Sequence, residues 1–97
     1  MNILLIGGNG FLGESLIKEA LKNNINISYL SRHKIKNKEL SHINWIQADI
    51  FNIEKINIEE KFDVFIHLVG TIKNKNMYKK LNTQSVTKSI ELCTKFN

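Results

Sequence analysis

Proline is absent from these 97 residues, and cysteine occurs once, at Cys93. A lone cysteine excludes an internal disulfide and any multi-cysteine metal site, and its expected role is that of a small apolar residue on a helix. No apolar run approaches the roughly 20 residues that cross a bilayer, so no membrane span is expected. Arginine also occurs once, at Arg32, although lysine and arginine together number 14. The resulting formal charge of +5 invites a nucleic-acid reading, since clustered cations neutralise phosphates. The lysines are scattered among Asn and Ile instead, and no stretch interleaves arginine with aromatics. A generally basic surface with no nucleic-acid partner is the expectation. The first strand pattern starts at Asn2, leaving no space for a leader, and a cytoplasmic setting is expected from this and from the cysteine usage.

What is present reads as alternating strands and helices. Hydrophobic content of 42% and charged content of 24% are ordinary for a globular chain, and the length suits one small domain. Residues 2–6 are a nearly all-apolar run ended by glycine, the mark of a strand buried on both faces. Residues 11–23 follow as a helix, with Leu12, Leu16 and Ala20 on one face, widened by Ile17 and Leu21. Strands are expected at 25–31, 43–48 and 63–69. A polar, lysine-rich loop or single helical turn is expected at 34–41, and a brief helix at 54–61. A long helix is expected over 77–96, with Val86, Ile90 and Cys93 at helical spacing, and Asn82 on that same face. This order specifies an α/β, doubly wound parallel sheet, and right-handed crossovers give the strand order 3-2-1-4.

The glycines carry the chemistry. Gly7, Gly10 and Gly13 fit G-x-x-G-x-x-G between a strand and a helix. A tight exit from the strand needs backbone freedom at Gly7 and Gly8. A pyrophosphate approaching main-chain N–H groups leaves no room for a side chain at Gly10, and Gly13 lets the helix pack closely against the strand. The helix start at Phe11 and Leu12 then offers unpaired amides and a partial positive charge to phosphates. Gly8 to Ser15 also spells a triphosphate-binding loop, but that loop requires lysine before the Ser, and Glu14 stands there. A dinucleotide is therefore expected, not a triphosphate.

An acid near the end of the second strand would bind the adenosine ribose and favour NAD. The stretch from Ser28 to Lys36 holds no acid and carries Arg32, followed by His33 and Lys34. A guanidinium there pairs with a 2′-phosphate, so NADP is the expected cofactor, with NAD the alternative. The competing account is that Arg32 simply ends a strand in solvent.

Taken together, the chain resembles the extended and atypical branches of the short-chain dehydrogenase/reductase superfamily, which include NAD-dependent epimerases and dehydratases. The resemblance implies a Rossmann-type fold, of which this chain is the N-terminal portion with later strands missing. It rests on Ile3 to Gly13, on Ala48-Asp49-Ile50, on His67-Leu68-Val69-Gly70 and on Leu81-Asn82-Thr83. It implies that Asp49 and Ile50 lie at the adenine edge and that Leu68, Val69 and Gly70 lie along the ribose. Asp49 could equally cap the helix expected at 54, Asn82 could cap its own helix, and His67 reads as a satisfied interior histidine.

The family's Tyr-x-x-x-Lys pair is not found. Tyr29 has His33 four residues on, and Tyr78 has Asn82. No catalytic residue and no metal ligand is assigned. The expected function is the cofactor-binding half of an oxidoreductase, epimerase or dehydratase, whose small-molecule substrate is handled by a missing C-terminal part. The alternative is a non-catalytic dinucleotide-binding module. Because the fourth strand would be an uncovered apolar edge, the chain is expected to be a piece of a longer product or to pair through that edge.

Overall fold

The computed structural model describes residues 1–69 and 79–96. Four strands, β1 (Asn2–Ile6), β2 (Asn26–Ser31), β3 (Asn44–Gln47) and β4 (Val64–His67), form one parallel sheet ordered β3-β2-β1-β4. The register sets Leu5 between Tyr29 of β2 and Ile66 of β4. Among the described residues β4 pairs on one side, with β1, and Val64 is exposed at that edge. The strand order and parallel pairing are those expected from the sequence.

The apolar run of β1 is explained by cover on both faces. Successive strand side chains point to opposite sides. Leu4 and Ile6 accordingly join Leu30, Ile53, Ile56, Phe62 and Leu92 in one core, while Leu5 joins Ile17, Ala20, Ile27 and Tyr29 in the other. Helix α1 (Phe11–Lys22) supplies Ile17 and Ala20 to the second core, and helix α2 (Ser85–Phe96) supplies Leu92 to the first. Leu4, Leu5 and Ile6 are at most 1% exposed, and each contributes about 1.5–3 kcal/mol by leaving water. Asn24, with φ 56°, closes α1 in the left-handed region, which Asn tolerates better than most residues.

Tyr29 fixes the segment that follows β2. Its ring stacks on Trp45 with centroids 6.5 Å apart, and its hydroxyl accepts the Ile35 N–H at 3.0 Å. The lysine-rich segment then makes the expected single turn, a 3₁₀ turn at Lys38–Leu40.

Two expectations are corrected. The helix expected at 54–61 is a single 3₁₀ turn, Ile53–Lys55, followed by irregular chain. Ile53, Ile56, Ile58 and Phe62 are all buried there, and no one helical face could bury residues at those intervals. The late helix is also shorter and rotated. It begins at Ser85 after a π-helical stretch, Lys79–Gln84, while residues 77–78 lie outside the described residues. Its inner face is Ser85, Ser89 and Leu92, whereas Val86 is 40% and Ile90 62% exposed. Asn82 is exposed as well, and Cys93 is half-buried.

His67 is the reason for the rotation. Its Nδ1 is hydrogen-bonded to Ser89 Oγ at 2.6 Å, and its Nε2 lies 3.4 Å from Ser85 Oγ. A half-buried imidazole needs partners on both nitrogens, and two small hydroxyl residues one turn apart supply them while letting the helix approach β4. The interior-histidine reading of His67 stands.

Candidate functional site

A cavity of about 510 Å³ opens at the C-terminal ends of the strands. Its walls come from the residues that leave each strand: Gly7 after β1, Ser31 to His33 at the end of β2, Ala48 to Phe51 after β3, and Leu68 and Val69 after β4. The strand order reverses between β1 and β4, and ligands of open parallel sheets bind at such a reversal.

The glycine turn forms the floor. Gly7 has φ +83° and donates its N–H to Leu30 O at 2.7 Å. A side chain there would stand 2.6 Å from Val69 Cγ2, so glycine is what allows the end of β4 to pass beside the turn. Gly13 serves a different contact. A Cβ on it would fall on the Gly8 carbonyl and 2.7 Å from Gly8 Cα. The helix thus packs against the glycine turn itself, where the sequence suggested packing on the strand. Gly10 differs from both, because a Cβ there would meet nothing within 4 Å. Gly10 lines the cavity, and the space beside it is open.

Gly10 is also the N-cap of α1, in extended conformation (φ −95°), and no side chain caps that helix start. The first N–H donors of a helix have no intrahelical acceptor, and the helix dipole adds partial positive charge there. A 12-residue helix beginning at the floor of a cavity, with no side chain spent on its donors, suits a phosphate. Glu14 points elsewhere and accepts from Asn37 Nδ2 at 3.2 Å. It ties α1 to the loop after β2, a structural role that leaves no room for a triphosphate-binding lysine.

The side walls differ in polarity. Arg32 and His33 are exposed at the rim on the β2 side, and among the described residues Arg32 makes no ion pair. Asp49 faces them from the β3 side. Its Oδ1 accepts the Phe51 N–H at 3.0 Å and its carbonyl accepts from Asn52 at 2.9 Å. It therefore lines the cavity and braces the turn ahead of Ile53–Lys55, but it does not cap that turn, whose N-cap is Asn52 without a side-chain cap bond. Ile50, Leu68 and Val69 give an apolar lining.

Of the residues singled out from sequence, Gly7, Gly10, Arg32, Asp49, Ile50, Leu68 and Val69 meet around one cavity. Gly8 and Gly13 pack beneath it, while Phe11 and Leu12 hold their side chains in solvent, 88% and 59% exposed, with their main chain in the first turn of α1. Gly70 lies outside the described residues. Asn9, Ser31, Phe51 and Lys80 also line the cavity and were not singled out. Phe51 was within reach, two residues past Asp49. Lys80 was not, because no local pattern ties it to a cavity built by distant strands.

Tyr29 is 1% exposed, and its hydroxyl is committed to Ile35, so it is no acid/base group. Tyr78 lies outside the described residues. Among the described residues no three His, Cys, Asp or Glu side chains cluster to hold a metal, and no helix is long and apolar enough to cross a membrane.

Comparison with known proteins agrees with this fold. Residues 3–95 match the family described as NAD dependent epimerase/dehydratase. An epimerase family protein of Staphylococcus aureus is 32% identical over 74 residues, which are 74% of this chain and 23% of that one. The UDP-Glc/GlcNAc 4-epimerase of Campylobacter jejuni superimposes with a TM-score of 0.77 at 24% identity, covering 98% of this chain and 34% of that one. The UDP-glucose 4-epimerase of Thermus thermophilus, solved in complex with NAD, gives 0.77 at 16% identity, covering 99% and 34%. At such identities the structural likeness speaks for the fold. The chain spans between 23% and 33% of the length of the curated relatives it matches.

Proposed function

Because the chain belongs to the NAD dependent epimerase/dehydratase family, we propose that it binds a nicotinamide dinucleotide across the ends of β1, β2 and β4, as the cofactor half of an oxidoreductase, epimerase or dehydratase. One observation carries the reading. The uncapped start of α1 meets the open space beside Gly10 at the point where the sheet order reverses.

In this reading the amides from Gly10 to Gly13 hold the pyrophosphate, and the Gly7 turn keeps the floor low enough for it. Asp49 and Ile50 border the adenine, Leu68 and Val69 follow the ribose, and Arg32 takes a 2′-phosphate and favours NADP over NAD. The bound cofactor would supply hydride chemistry through its nicotinamide. The chain's residues orient it and exclude water from one side. The small-molecule substrate falls to parts of the family's length that this chain does not span, and cover for the β4 edge comes from there too.

Trp45 makes the test direct. It is the single tryptophan, and its Nε1 donates to Ser31 Oγ at 3.1 Å, beside the cavity wall. Titrating NAD(H) and NADP(H) should quench its emission saturably, with calorimetry giving the same dissociation constants. Silence from both cofactors at millimolar supply would end the proposal. Arg32→Ala should lower the NADP/NAD affinity ratio by about tenfold to a hundredfold, the range for one charge-assisted phosphate contact. An unchanged ratio would return Arg32 to solvent.

A second reading is a non-catalytic module that keeps dinucleotide for stability or redox sensing, for which the absence of a Tyr-x-x-x-Lys pair from these residues leaves room. The full-length gene product separates the two: a Tyr-x-x-x-Lys pair within it supports the enzyme, and the lack of one supports the module.

A further inference from the structure

The cavity has a second cationic wall. Lys80 sits in the π-helical turn that leads into α2, and it lines the same cavity as Arg32, which leaves the sheet at the end of β2. Its ammonium lies 4.7 Å from the centroid of the Phe51 ring. No carboxylate holds it: the ion pairs among the described residues are Lys22–Glu19 and Lys88–Glu91. Asp49, the carboxylate of the described lining, already gives one oxygen to the Phe51 N–H.

A guanidinium and an ammonium thus reach one cavity from different elements, against a single, partly committed acid in the described lining. Such an arrangement attracts an anion between its cations. An aromatic face is a weak holder for an exposed ammonium, so Lys80 is free to exchange the Phe51 ring for a phosphate when one arrives.

Resting on the dinucleotide reading above, the geometry points to Lys80 as a second specificity-determining residue. Its ammonium leaves Phe51 to contact a phosphate on the adenosine ribose, on the side away from Arg32. The ligand class is an adenosine nucleotide phosphorylated on its ribose. A plain adenosine monophosphate gains much less from this contact.

The test compares 2′,5′-ADP with 5′-AMP, which differ by that ribose phosphate, using calorimetry on wild-type protein, Lys80→Gln and Lys80→Arg. Lys80 is exposed, so the variants should keep the wild-type circular dichroism and melting temperature. Lys80→Gln should weaken 2′,5′-ADP about tenfold and 5′-AMP less than about twofold, as for loss of one screened charge-assisted contact. Lys80→Arg, which keeps the charge, should restore most of the difference. An unchanged ratio of the two affinities in Lys80→Gln overturns the role of Lys80 and leaves the dinucleotide reading intact. Failure of both nucleotides to bind wild-type protein overturns that reading, and this one with it.

Discussion

Replacing Gly13 or Gly10 by alanine adds the same methyl group three residues apart, and the structure predicts opposite consequences. At Gly13 the new Cβ falls on the Gly8 carbonyl and 2.7 Å from Gly8 Cα. Both are main-chain atoms, so no rotamer change relieves the overlap. Forced overpacking costs about 1–3 kcal/mol, and a backbone neighbour puts this case at the upper end. Alanine returns about 1 kcal/mol of helix propensity over glycine. The net loss is about 2 kcal/mol, which in a domain of this size lowers the melting temperature by about 8–16 °C. At Gly10 the Cβ meets nothing within 4 Å and the backbone is already extended. Losing a tolerable N-cap costs about 0.5–1 kcal/mol, and the stiffer unfolded chain returns about 0.4–1 kcal/mol. Gly10→Ala should therefore melt within a few degrees of wild type, yet bind dinucleotide at least about tenfold more weakly because the methyl enters the phosphate's space. Thermal melts and calorimetric titrations on the two variants read both quantities. Wild-type affinity in a well-folded Gly10→Ala would refute the phosphate cradle. Wild-type melting of Gly13→Ala would refute the packing.

Tyr29→Phe removes the acceptor for the buried Ile35 N–H. Leaving such a donor unpaired costs about 1–3 kcal/mol, and urea unfolding should show it as a lower midpoint at constant slope. The rotated face of α2 is testable by contrast. Leu92→Ala, at 0% exposure, should cost about 2–5 kcal/mol. Ile90→Lys, at 62% exposure, should change stability by about 0.5 kcal/mol or less. Equal effects at the two positions would mean that the helix faces the sheet as the apolar spacing suggested.

What could be read from sequence followed the strength of local signals. The β1 run, the glycine spacing and the α1 stripe each depend on residues within a few positions, and strand order then follows from handedness. The strand ends were set one or two residues too wide, because the chain stays apolar past the last paired residue, as at Leu68 and Val69. The face of α2 was misread because apolar spacing assumes that burial belongs to apolar residues. Here Ser85 and Ser89 are buried by the needs of a histidine 18 and 22 residues earlier, and no periodicity records a partner at that distance. The segment after β3 failed similarly. Ile53, Ile56, Ile58 and Phe62 cover a sheet face from irregular chain, which leaves no repeating pattern. Seven of the fifteen described lining residues were singled out because the floor and two walls directly follow strands, and Lys80 was missed because its wall comes from elsewhere.

The cavity also separates binding from selectivity in physical terms. Its floor is main chain: the Gly7 turn crossing Val69, the Gly13 contact with Gly8, and the uncapped amides of α1. An added side chain at Gly7 or Gly13 meets Val69 or the Gly8 main chain and costs stability, whereas at Gly10 it meets nothing within 4 Å and stability is kept. The rim consists of Arg32, His33 and Lys80, all exposed, and none of them is part of either apolar core. Substitutions at such positions are nearly neutral for folding. On the proposed reading, exchanging rim charges would alter which phosphorylated ribose is preferred while leaving intact the floor proposed to bind the pyrophosphate. If that reading holds, cofactor preference can change through exposed rim residues independently of stability, with the glycine turn unchanged.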